Sequence, residues 1–68
     1  MTTAERVALA RQLADAGQHR DAALILRDLA EIDRDGDIGY VERMRWHETL
    51  GVLESAGFDV LGVFREIR

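Results

Sequence analysis

Apolar residues recur along this chain at the three- and four-residue spacing of a helix face, in four blocks separated by Gly- and Asp-bearing breaks. The first block opens with Thr2 and Glu5, a capping box in which hydroxyl and carboxylate satisfy the first free amides of a helix. Val7, Leu9, Ala10, Leu13, Ala14 and Ala16 follow, and Gly17 ends the run, predicting a helix over 3–16. The second block predicts a helix over 19–32 with Ala22, Ile25, Leu26, Leu29 and Ile32 inside and Arg27 and Asp28 facing water. Leu24 falls outside that stripe, so this helix is expected to meet two neighbours. Asp33-Arg34-Asp35-Gly36-Asp37 stops it, because Asp and Gly favour turns over helix continuation. A third helix is predicted over 38–55, with Val41, Met44, Leu50 and Leu53 inside, joined by Tyr40 and Trp46. After Ala56-Gly57 a short fourth helix is expected over 59–67, with Val60, Val63, Phe64 and Ile67 on one face.

The two halves echo each other. Leu13-Ala14-Asp15-Ala16-Gly17 parallels Leu53-Glu54-Ser55-Ala56-Gly57, and Leu26-Arg27-Asp28-Leu29 parallels Phe64-Arg65-Glu66-Ile67. The expected architecture is therefore all-α: one domain of four helices, arranged as two antiparallel hairpins, 3–16 with 19–32 and 38–55 with 59–67.

Composition narrows what such a domain can be. A chain of 68 residues buries only about 60% of its unfolded surface, so a disulfide, an ion or a partner subunit commonly supplements the core. Cysteine is absent, which excludes disulfides and thiolate metal sites and leaves an oxygen-ligated ion, a homodimer or very good helix packing. The absence of proline and the abundance of Ala and Leu favour helix throughout. Met1 to Arg6 shows no positive region leading into an apolar run, and no stretch approaches the roughly 18 apolar residues of a membrane span. A cytoplasmic domain with no membrane contact is expected. The nine basic residues are all arginine, a usage typical of GC-rich bacterial or phage coding sequence.

The segment Leu9 to Asp33 resembles a tetratricopeptide unit. Ala10 stands at the small position of the first helix, Gly17 at the corner and Ala22 at the small position of the second. Leu26 takes the place of the usual aromatic, and Leu29-Ala30-Glu31-Ile32-Asp33 resembles the end of the unit. Arg34 replaces the expected proline and Leu13 the aromatic of the first helix. The resemblance implies a role in protein–protein interaction.

A second local resemblance is to an EF-hand calcium loop, over Glu31 to Glu42. Asp33 and Asp35 match ligand positions, Gly36 the turn, Asp37 a carbonyl donor, Ile38 the apolar anchor and Glu42 the closing bidentate carboxylate. Glu31 stands where Asp is usual, Ala30 and Arg27 where larger apolar residues pack, and the loop is single where such loops pair. The resemblance implies calcium as a ligand, held by Asp33, Asp35 and Glu42; the alternative is a solvated turn between two helices.

Catalytic constellations are missing. His47-Glu48 lacks the second histidine of a zinc-protease motif, and His19 is expected at a helix start. None of the hydroxyls (Thr2, Thr3, Tyr40, Thr49, Ser55) has a base at suggestive spacing. Arg43, Arg45, Trp46 and His47 form the one basic–aromatic cluster, but Glu42 and Glu48 flank it and the net charge is −4, against nucleic-acid binding. Trp and Arg are, by contrast, the residues that most often anchor protein interfaces. The leading expectation is a non-catalytic interaction module or adaptor, homodimeric, using Arg43, Trp46 and Leu50 of the third helix. The alternatives are a calcium-binding protein and a phage- or plasmid-encoded inhibitor of a host complex.

Overall fold

The computed structural model describes residues 1–34 and 38–66, the side chains of Asp33 and Arg34 apart. Four helices follow one another: α1 (Thr3–Asp15), α2 (His19–Arg34), α3 (Tyr40–Ser55) and α4 (Val60–Phe64). The described residues form a small all-α bundle. None of their helices is long and apolar enough to cross a membrane.

Local chemistry sets the ends of these elements. The Thr2 hydroxyl accepts from the Glu5 amide at 3.1 Å while the Glu5 carboxylate accepts from the Thr2 amide at 3.1 Å. Both helix hairpins turn in the same way. The Gln18 amide donates to the Leu13 carbonyl at 2.9 Å, and the Phe58 amide donates to the Leu53 carbonyl at 3.1 Å. Each corner passes through a glycine in the left-handed region, Gly17 at φ 84° and Gly57 at φ 79°. These are paired Schellman caps, and they give the sequence echo around the two glycines a structural meaning. The corners also touch: the His19 and Phe58 rings lie 5.6 Å apart, and Arg20 holds Glu66 through two bonds of 2.6 and 2.7 Å.

α2 is the central element and contacts all three other helices. Among the described residues, α1 and α4 do not meet each other. Ala10 and Ala14 of α1 and Ala22 and Ala23 of α2 are buried where the first hairpin closes, and their small side chains let the two backbones approach. Leu26, Leu53, Val60 and Val63 complete this cluster. A second cluster joins Val7, Leu29 and Ile38, so the expected anchor residue Ile38 is a core residue. The second hairpin is lopsided. Its α4 has five residues, is capped by the Asp59 carboxylate on the Gly62 amide at 3.0 Å, and lies mainly on α2.

Several inner and outer assignments are corrected. Arg27 and Asp28 do not face water: both are half-buried, and the Arg27 guanidinium donates to the Val63 carbonyl at 3.1 Å, tying α2 to α4. Tyr40, Val41 and Met44 are not inner residues: they are 76%, 51% and 47% exposed. The inward face of α3 is instead built on Thr49 and Leu53, with Trp46, Leu50 and Val52 packed beside them. Thr49 is buried with its hydroxyl satisfied, donating to the Arg45 carbonyl at 2.9 Å. Ile67 lies outside the described residues.

Candidate interaction surface

The division of α3 into two faces follows from helix geometry. At 3.6 residues per turn, Met44 and Leu53, nine residues apart, are two and a half turns apart and point in opposite directions. Both cannot enter one core. Leu53 lies in it and Met44 is left outside with Tyr40 and Val41. Among the described residues, the other large apolar side chains this exposed lie apart from these three in sequence, Met1 at the N-terminus and Leu61 on α4.

Of the three residues expected at a partner surface, Trp46 is the one the structure reassigns most clearly. Its Nε1–H donates to the Leu26 carbonyl at 2.9 Å, and its ring packs against both buried clusters. It sits 6.2 Å from the Phe64 ring and 5.0 Å from that of His47, the latter edge-on. Trp46 therefore joins the two halves of the core. Leu50 is half-buried against the main cluster, and Arg43 is exposed on the same edge of the helix. The three do lie together along α3, between two concavities. One, of about 180 Å³, is lined by Ala30, Ile38, Arg43, Trp46 and His47. The other, of about 470 Å³, runs between α3 and α4 past Leu50, Glu54, Phe58 and Leu61.

Sequence reasoning missed the outward face itself. The signal was available: apolar residues at 40, 41 and 44 are out of phase with those at 46 and 53, and a small bundle has no layer to cover a second face. Gly51 belongs to the outward side. It is an exposed glycine inside a helix, and a Cβ added there would meet nothing within 4 Å. The fold thus supplies no packing reason for its lack of a side chain.

The metal candidates divide differently. Asp35, and with it Gly36 and Asp37, lies outside the described residues, as does the side chain of Asp33. Glu42 is described. It occupies the third position of α3, and its carboxylate folds back over Gly39, where a Cβ would come within 2.6 Å of Oε2. A carboxylate there is favoured by the positive end of the helix. Among the described residues, no group of three His, Asp or Glu side chains is gathered as an ion site.

Two carboxylates are shifted by their partners. Hydrogen bonds from the Thr2 amide and hydroxyl hold Glu5 below the ordinary carboxylate range, and the Arg20 guanidinium does the same to Glu66. Both are exposed and belong to a helix cap and a surface ion pair, away from the α3 face. The chain matches no known protein-family model, no curated protein and no solved structure.

Proposed function

We propose that this chain is a small, non-catalytic protein-interaction module, and that α3 is the element that meets its partner. The observation that carries the reading is the exposed apolar run of Tyr40, Val41 and Met44 on a helix whose other face already supplies the core. Large apolar side chains gathered on one exposed face mark interaction sites. Arg43 edges this face and contributes charge, while Trp46 and Leu50 pack α3 against the core.

A photo-reactive residue placed at position 44 tests the proposal in cells expressing the full chain. Cross-linked protein at position 44, with none at the exposed α1 position Gln12, is the expected result. No adduct at position 44 overturns the reading. Trp46→Ala is the wrong probe, since truncating a half-buried Trp that bridges two clusters costs about 3–5 kcal/mol and unfolds a domain this small.

A further inference from the structure

We infer that the groove between α3 and α4 is a second docking surface, and that its occupant is a short basic amphipathic helix of another protein. The inference goes beyond the proposal for the outward face of α3. It concerns a different surface, and neither depends on the other.

The groove exists because the second hairpin is unequal. α3 has 16 residues and α4 five, and α4 lies mainly on α2, so the side of α3 next to it is only partly covered. Leu50, Phe58 and Phe64 are half-buried where they line this concavity of about 470 Å³, and Leu61 is 60% exposed. Uncovered apolar side chains gathered in a concavity of several hundred Å³ are the ordinary makings of a binding site.

Charge selects the occupant. The charged residues lining the groove, among those described, are Glu54 and Asp59, both acidic. Glu54 is exposed and makes no hydrogen bond or ion pair with a described residue. Asp59 accepts from the Gly62 amide, a neutral donor that leaves its charge unbalanced. Elsewhere on the surface, Asp15, Glu48 and Glu66 each lie beside an arginine. The groove therefore sets two uncompensated carboxylates next to apolar side chains, on a chain of net charge −4. Such a field draws a cationic segment and turns away an acidic one.

The shape selects the form of that segment. No strand edge is present among the described residues, so a peptide cannot dock by extending a sheet, and helix-in-groove docking is the mode that remains. Leu50 and Glu54 are one turn apart, about 6 Å along α3. The groove thus fits an apolar pair at i and i+3 or i+4, with lysine or arginine beside it. Contact of this extent falls at the small, transient end of interfaces.

The test titrates the isotope-labelled full chain, at low salt, with a capped peptide of about 14 residues made of leucine and lysine. Its leucines stand at i, i+3, i+4 and i+7, and a matched peptide carries glutamate at every lysine. The lysine peptide should shift the amide resonances of residues 54, 58, 61 and 64 saturably below about 1 mM, and the glutamate peptide should not. The double variant Glu54→Gln/Asp59→Asn removes both charges while keeping a good helix cap, and should weaken binding at least about fivefold. Leu61→Gln should weaken it by a similar factor while melting with the parent, since Leu61 lies outside both core clusters. No saturable shift, equal binding of the two peptides, or unchanged affinity in the double variant overturns the inference. Shifts centred on residues 40–44 also overturn it, placing the peptide on the outward face of α3. If the groove resonances move with chain concentration before any peptide is added, a second copy fills the groove and the foreign helix is ruled out. None of these failures touches the cross-link expected at position 44.

Discussion

The substitution of glycine by alanine should change stability in opposite directions at different positions of this molecule. Gly51 lies in the body of α3, exposed, with nothing within 4 Å of an added Cβ. Alanine there removes the backbone-entropy cost of glycine in a helix interior, about 0.8–1.0 kcal/mol, without creating a clash. For a domain of this length that corresponds to a rise of roughly 4–8 °C in Tm. Gly17 and Gly57 also have open space around an added Cβ, so sterics with neighbours do not distinguish the three. Their backbones do. At φ 84° and 79° an L side chain crowds its own carbonyl, at about 1–2 kcal/mol, partly offset by the reduced freedom of the unfolded chain. Each of these two alanine variants should therefore lose about 1 kcal/mol. Thermal melting followed by far-ultraviolet circular dichroism, at low micromolar concentration where the chain is dilute, measures all three. If Gly51→Ala melts at or below the parent, or if Gly17→Ala gains stability, the assignment of α3 and of the two left-handed caps is wrong.

Three further outcomes follow from the packing and the charges. Trp46→Phe keeps an aromatic ring but loses the bond to the Leu26 carbonyl and part of the ring packing, and should cost about 1–2 kcal/mol in urea unfolding. Ala22→Leu places three extra carbons where α1 meets α2 and should cost about 1–3 kcal/mol by the same measurement, most of it as faster unfolding if the helices separate late. Stability should also fall in acid: Glu5 and Glu66 bind protons less readily when folded than at their ordinary value of 4.5. Their contribution is present above that value and is lost as pH drops through the lower folded values, the direction required when the unfolded chain binds more protons. Glu66→Gln should flatten this acid limb without moving the neutral plateau far, because the pair with Arg20 is exposed.

The elements were legible because their ends are written in short-range chemistry. Thr2 and Glu5 act within four residues, and Gly17 and Gly57 each set a corner through bonds spanning five positions. Nothing from the rest of the fold is needed to read them. Ala10, Ala14 and Ala22 were legible for a related reason, since they fall on the main apolar stripe of their helices, whereas the fully buried Ala23 lies outside the expected stripe of α2 because that helix meets more than one neighbour. α3 was harder because it carries two apolar stripes, and which one is buried depends on how α1 and α2 present their surfaces. Thr49, polar by type, entered the core by bonding its own helix, a choice that periodicity of apolar residues does not register. Arg27 was misplaced for the converse reason: it is half-buried because its guanidinium reaches the Val63 carbonyl, a contact created by α4 folding back.

That ambiguity in α3 is where fold and function meet. A bundle this small has no second layer, so a helix apolar on two sides must leave one of them in water. Chains under selection for solubility alone would replace Tyr40, Val41 and Met44 with polar residues at little cost to the core, since none of the three lies within it. Gly51 is unfavourable in the same way, weakening α3 by about 1 kcal/mol with no compensating contact inside the chain. Two independent departures from what a lone monomer favours, one in side-chain polarity and one in backbone propensity, fall on the same face of the same helix. Departures of this kind are expected at functional sites, where local preference yields to what the site must do. Their coincidence on α3 is what supports the proposal that this face, more than the half-buried Trp46, is where a partner docks.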